Sequence, residues 1–258
     1  MNRFLAVACL YLAVGAIARG QTPAAKPSKP APPSAAAAAT PTVDQILSHY
    51  VEAEGVRAAW QKLTSRESTG TIEVPSMSLS GTVEIHEKAP DRMLGVVTIN
   101  GASFRQGFDG TTGWTDDPQN GFREVSGPEL AETRRDADFF HPMDLRKLYS
   151  KLTVTGKEKI GERDAYVVEC ALPEGGDPDR MYFDAQTGLT LRAISQHHGP
   201  DGVTEYQEDF EDYREVDGVK LPFTIHQKNG DTAMTITISE VHHNVAVDDG
   251  LFAKPAVQ

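Results

Sequence analysis

Apolar positions along this chain first recur at helical spacing and then, from Arg66 onward, at every second residue. Val43, Ile46, Leu47, Tyr50 and Val51 fall on one helical face. Thr42-Val43-Asp44-Gln45, ahead of them, has the form of a capping box: a hydroxyl at the cap and a glutamine three residues on. A helix is therefore predicted from Thr42. Gly55 should break it, and Val56, Ala59, Trp60 and Leu63 should continue for another turn or two. The period-two pattern then predicts strands over 71–74, 78–88, 92–99, 103–109, 113–116, 121–125, 152–159, 164–172, 180–184, 189–197, 203–213, 219–228 and 232–243. Between the runs stand Asn100-Gly101, Asp109-Gly110, Asn120-Gly121, Asp201-Gly202, Asp217-Gly218 and Asn229-Gly230. Such pairs accept positive φ and favour tight hairpins. The fold class that follows is mainly β, α+β, with about 11–13 strands in an antiparallel meander. One interruption, 127–149, reads as helical, with Pro128 at a first-turn position and Pro142 expected to split it.

Some strands are apolar on both faces. Met93, Val97 and Ile99 share one face of 92–99, while Leu94 and Val96 share the other. Phe104 and Phe108 lie on a common face with Trp114 just beyond, and the helical insert carries Phe139, Phe140 and Met143. A sheet this long, with few helical residues, must close on itself, stack, or leave a cavity beneath its helices.

The N-terminus stands apart from this pattern. Arg3 precedes an apolar run over 4–18, too short to span a bilayer, and small residues follow at Ala18 and Gly20. Residues 1–20 are read as a secretory signal peptide cleaved near Gly20-Gln21 or after Ala18, with an uncleaved anchor as the alternative. Cys9 is an ordinary residue of that run. Residues 21–41, rich in Pro and Ala, are predicted to form a disordered, semi-extended tether. The folded domain is placed at 43–258. Formal charge is −12; the first 42 residues hold four basic groups and no acid, leaving 21 basic against 37 acidic groups beyond them. So acidic a domain disfavours nucleic acid and anionic lipid surfaces. Without Cys9, Cys170 has no intrachain disulfide partner, and on a face with Tyr166, Val168 and Leu172 it reads as a small buried hydrophobe.

The chain has no G-x-S-x-G, H-E-x-x-H, P-loop or C-x-x-C catalytic or nucleotide-binding signature. His197-His198 and His242-His243 are adjacent pairs. Neighbours on a strand point to opposite faces, so neither pair chelates one ion as it stands, and no metal or other cofactor is expected. In Glu205–Glu215 the residues Glu205, Gln207, Asp209 and Glu211 alternate with Tyr206, Glu208, Phe210 and Asp212, as in a strand with one wet face.

Several stretches together resemble the LolA/LolB-like superfamily of periplasmic lipoprotein carriers. They are VDQILSHYVEAEGVRAAWQKL running into SRESTGTIEV, then VEIHEKAPDRML, FRQGFDGTTGW, ELAETRRDADFFHPMDL, KEKIGERDAYVVEC, MYFDAQTGLTLR, DYREVDGVKLPFTI and DDGLFAKP. The resemblance is nearest to proteins described as outer membrane lipoprotein-sorting proteins. It implies an incomplete antiparallel β-barrel whose helices form a lid over an apolar cavity. The implied function is a periplasmic carrier or binding module for lipid or an acylated lipoprotein, acting as a monomer without stable membrane insertion and not as an enzyme. An envelope sensor that binds a protein partner is the alternative. On this reading Met93, Val97, Phe104, Phe108 and Trp114 line the cavity, and Phe139, Phe140 and Met143 belong to the lid. Arg66 and Arg105 are the candidates for polar contact with cargo.

Overall fold

The computed structural model describes residues 40–199 and 202–255. The expected signal peptide and nearly all of the tether lie outside the described residues. Helix α1 (Val43–Glu54) begins as its sequence predicts. The Thr42 hydroxyl accepts from the Gln45 N–H at 3.3 Å, and the Gln45 side chain accepts from the Thr42 N–H at 2.8 Å. Gly55 ends the helix with φ of 115°, and a single turn, α2 (Arg57–Trp60), follows. Six strands come next: β1 (Ser65–Val74), β2 (Leu79–Lys88), β3 (Arg92–Ile99), β4 (Ala102–Phe108), β5 (Gly113–Asp117) and β6 (Gly121–Glu124). Helices α3 (Gly127–Asp136) and α4 (His141–Leu148) interrupt the series. Seven further strands complete it: β7 (Lys151–Ile160), β8 (Arg163–Ala171), β9 (Asp179–Asp184), β10 (Thr190–Gly199), β11 (Gly202–Val216), β12 (Val219–Asn229) and β13 (Thr232–His243).

All thirteen strands join one antiparallel sheet, ordered β6-β5-β4-β3-β2-β1-β13-β12-β11-β10-β9-β8-β7. The meander is thus double. Strands β1 to β6 form one half, β7 to β13 the other, and β1 pairs with β13 in the middle, from Arg66 opposite His243 to Glu73 opposite Thr235. The sheet does not close: β6 and β7 are free edges, and α3 and α4 form the connection between them. At Asn100-Gly101 and Asp217-Gly218 both residues have positive φ, the geometry of a tight turn that matches strand twist.

One face of the sheet, here the inner face, packs against the helices. Ile46, Tyr50, Trp60, Met143 and Leu145 from the helices meet Ile72, Val83, Ile85, Met93, Val97, Phe108, Phe183, Phe210, Ile225 and Ile236 from the strands in one continuous core. The outer face of β3 is also covered, as its two apolar phases require. Leu94 and Val96 lie beneath the chain's last residues, where Val245, Val247 and Phe252 pack with Trp114 and Phe122. The Trp114 indole N–H donates to the Phe252 carbonyl at 3.0 Å, and Lys88 and Arg92 both pair with Asp249. Gly107 is required beneath the indole, because a Cβ there would stand only 2.4 Å from atoms of the Trp114 ring.

The insert corrects one expectation. Pro142 does not split the helix; it stands in the first turn of α4, where a missing N–H costs nothing. Helix α4 itself kinks at Asp144 (φ −119°, ψ 15°), but the main break falls earlier, over Ala137–Phe140. There the Asp138 carboxylate accepts from the Phe140 N–H at 2.8 Å, and the Phe139 N–H donates to the Pro90 carbonyl at 2.9 Å.

Candidate binding interior

Strand alternation and the α3–α4 connection bring most of the expected lining into one place. Met93, Val97 and Phe108 are at most 1% exposed on the inner face, and Phe104, opposite Val97, packs against the same core. Phe139 and Phe140, edge to face at 5.3 Å, and Met143 press on it from the insert. Two residues are placed elsewhere. Trp114 lies on the outer face beneath the C-terminal segment, and Arg105 is on that face too, paired with Asp116 at the surface. The physical reason is the pleat: Phe104 and Phe108 fix the inner phase of β4, so Arg105 points out, and Gly107 makes room for the indole on the outside.

Arg66 does face inward, but it is engaged. Its guanidinium grips Glu87 bidentately, with Nη2 donating to Oε1 at 2.6 Å, and its Cζ stands 5.7 Å from the Phe139 ring centre. It is one of several ionisable groups inside. Glu132 on α3 accepts from the His198 N–H at 3.2 Å and lies 3.0 Å from His197 Nδ1. Gln227 donates to Glu208 at 3.0 Å, and the Tyr149 hydroxyl donates to Asp179 at 2.9 Å. The buried residues of α3 are Glu132, Thr133, Arg135 and Asp136, none of them apolar.

Sequence reading missed this polar interior. The signal was present: Glu208 stands between Tyr206 and Phe210 on the buried phase of β11, and Glu54 continues the Ile46–Tyr50 stripe of α1 by one more helical step. A carboxylate in phase with apolar neighbours was the clue.

Glu54 is the extreme case. Its exposure is 0%, and neither carboxylate oxygen has a hydrogen-bond partner among the described residues. The buried Trp60 indole N–H is likewise without one. Burial pushes the Glu54 carboxyl above its ordinary value of 4.5, against the opposing pull of Arg66 and Lys220. Burial, reinforced by Glu54, also pushes up the Tyr50 and Tyr213 phenols. The folded protein therefore holds the Glu54 proton more tightly than the unfolded chain does. The stability this contributes is fully present below pH 4.5 and is lost as pH rises through the higher folded value. Glu54→Gln is expected to flatten that segment of the stability–pH curve and to raise stability at neutral pH. Denaturant unfolding across the pH series checks this, and an unchanged slope would contradict it.

Clefts open at the surface among the described residues. One of about 430 Å³ separates α1 from α4 and is lined by Leu47, Val51, Arg57, Pro142, Met143 and Leu145, among others. Arg57 spans it, donating to the Met143 carbonyl at 2.6 Å. A second, about 330 Å³, lies between α1 and the β8–β9 region at His49, Tyr166 and Phe183. A third, about 470 Å³, lies beside Ser65, Lys88 and Val247. None of the three is lined by Met93, Val97, Phe104, Phe108, Phe139 or Phe140. Among the described residues no group of three or more His, Cys, Asp or Glu is arranged to hold a metal ion, and no helix is long and apolar enough to cross a membrane.

No family model matches the sequence, and neither does any curated protein. Solved structures do match in fold. A DUF1329 family protein from Desulfovibrio piger superposes with a TM-score of 0.55 at 15% identity, covering 83% of this chain and 98% of its own. An outer membrane lipoprotein-sorting protein domain from Vibrio parahaemolyticus gives 0.51 at 14% identity, covering 81% of this chain and 96% of its own. A LolA superfamily protein from Nitrosomonas europaea gives 0.52 at 14% identity, covering 83% and 99%. The likeness of this open, thirteen-stranded antiparallel sheet to these structures, over most of their lengths, identifies the fold of this chain as LolA-like.

Proposed function

We propose that the protein is an exported, periplasmic binding module for lipid or for the acyl chains of a lipoprotein, held between the inner face of the sheet and the α3–α4 cover. The observation that carries this reading is the underside of α3. A helix that lies over an apolar core, yet whose fully buried residues are Glu132, Thr133, Arg135 and Asp136 with Leu130 as a half-buried apolar contact, is tied down largely by exchangeable polar contacts. Those contacts can pass to water when the helix lifts, whereas an apolar underside would expose surface at about 25 cal/mol per Å². Beneath the insert, Met93, Val97, Phe104 and Phe108 offer the apolar wall that an acyl chain needs. Each buried methylene contributes about 0.8 kcal/mol, so a chain of ordinary length offsets a lid opening of several kcal/mol. The domain architecture fits the same reading: a signal peptide at 1–20, a tether at 21–41 and the binding domain at 43–258. The lipoprotein-sorting name of the Vibrio structure agrees with it at the level of fold. The module works by binding and release rather than by catalysis.

Native mass spectrometry of protein recovered from the periplasm, with titration of a neutral fluorescent acyl probe, tests the proposal. One bound lipid per chain and saturable probe binding are expected. Probe uptake should quicken in Glu132→Gln, which loosens the tie between α3 and β10. Absence of lipid together with no saturable probe binding overturns the proposal.

A further inference from the structure

We propose that the cleft between α1 and α4 seats one acyl chain of a zwitterionic amphiphile, with the head group at its charged rim; this rests on the lipid-binding reading above. Helix α1 carries two stripes. Ile46, Tyr50 and Glu54 are buried in the core, while Leu47 and Val51, one position further round, stay half covered and line the cleft. Asp44, Ser48 and Glu52 complete that face. From Asp44 to Glu52 the wall runs about 12 Å, at 1.5 Å of rise per residue. Pro142, Met143 and Leu145 of α4 form the opposite wall. The space between them is about 430 Å³, within the range of small-ligand sites. Its floor is continuous with the interior: Met143 and Leu145 are buried members of the one core, and Leu47 and Val51 pack against it. An acyl chain laid along the cleft takes apolar surface of both helices out of water.

The rim decides the head group. Among the described residues, Asp44, Glu52 and Asp144 stand round the cleft against Arg57, Arg146 and Lys147, three charges of each sign. Two arginines bridge it. Arg57 donates to the Met143 carbonyl at 2.6 Å and lies 3.5 Å from Asp144, and Arg146 on α4 pairs with Asp44 on α1. Arg57, Arg146 and Asp44 are each more than half exposed, so these bridges cost little to open. A zwitterionic head replaces both members of the Arg146–Asp44 pair at once, its phosphate taking the guanidinium and its ammonium the carboxylate. A head with a single charge leaves the other member without its partner. The balanced rim therefore selects a head that carries both signs and no net charge.

An alkylphosphocholine with a photoreactive diazirine in its chain tests this on the full chain, below its micelle concentration and at neutral pH. Saturable crosslinks are expected within 44–52 and 142–147, the two walls. Ser48→Trp changes an exposed residue on the α1 wall and places an indole in the cleft. With folding unchanged by circular dichroism, it should weaken phosphocholine binding about tenfold. The wild type is expected to bind the phosphocholine about threefold tighter than an alkyl maltoside of the same chain length, the scale of exposed ion pairs. Arg146→Gln combined with Lys147→Gln should erase that preference and leave maltoside binding intact. Crosslinks confined to other segments, undiminished binding in Ser48→Trp, or equal binding of the two amphiphiles by the wild type overturns the cleft site and leaves the lipid-binding reading standing. Crosslinking lost as the protein self-associates at rising concentration also overturns it, in favour of a second copy as the occupant. Failure of both amphiphiles and of the neutral acyl probe to bind saturably overturns the two readings together.

Discussion

Arg66→Met is expected to destabilise the protein by about 3–5 kcal/mol, because it leaves the Glu87 carboxylate buried without its main counter-charge. Both side chains are nearly sealed, at 5% and 2% exposure, so water cannot replace the lost partner. The pair lies directly across β1 and β2, where Arg66 stands opposite Glu87 in the register, and Arg66 also shelves the Phe139 ring. The double variant Arg66→Met, Glu87→Leu should recover most of the loss, since a buried ion pair can be exchanged for apolar residues of like volume at little net cost. Urea unfolding of the wild type, both single variants and the double variant measures the coupling. If Arg66→Met alone costs under about 1 kcal/mol, the pair is not sealed as described. The cycle also bears on the expected cargo role of Arg66, because a guanidinium bound this firmly by Glu87 is not available to hold cargo without giving up that partner.

Trp114→Ala should cost about 3–5 kcal/mol, the range for a large aromatic removed from a packed site. The loss comes from a different place from that of Arg66. Trp114 is 2% exposed and joins β5 to the C-terminal segment through packing on Val247 and Phe252 and through the indole bond to the Phe252 carbonyl. Without it Leu94 and Val96 lose their cover on the outer face of β3. Hydrogen exchange should show protection falling over 245–255 while the inner face of the sheet stays protected. Uniform loss across both faces would contradict the assignment of Trp114 to a separate outer cluster.

The strands were legible because their signals are local. Each turn dipeptide and each period-two run names its own hairpin, and all thirteen predicted runs are strands in the structure. The capping box at Thr42 and the stop at Gly55 are local in the same way. What depends on contact between distant residues was not legible. The pairing of β1 with β13, which makes two meanders from one, leaves no mark in either strand's own pattern. Nearness to Phe108 in sequence points Trp114 to the interior; only the Gly107 gap and the fold-back of Val247 and Phe252 put the indole outside. Pro142 reads as a helix breaker because a proline inside a helical run and one in a first turn look alike until the Asp138 turn is seen. Of the interior, the apolar half was visible as phenylalanines in phase. The polar half was hidden because Glu54, Glu132 and Glu208 look like surface residues by type, and burial is not a property of type.

The central seam has a consequence for how the molecule comes into being. Each half of the sheet is built of hairpins between neighbours in the chain, but Thr64 meets Asn244 only when nearly the whole polypeptide is present. A chain delivered from its N-terminus completes the five pairings among the first half's six strands early, and then waits with the hydrogen-bonding edge of β1 unpaired until β13 arrives. Closure of that edge is the long-range, entropically demanding step. Ile72 and Val74 keep their apolar side chains uncovered along that side during the delay, which makes it the interval when the nascent protein is most exposed to wrong partners.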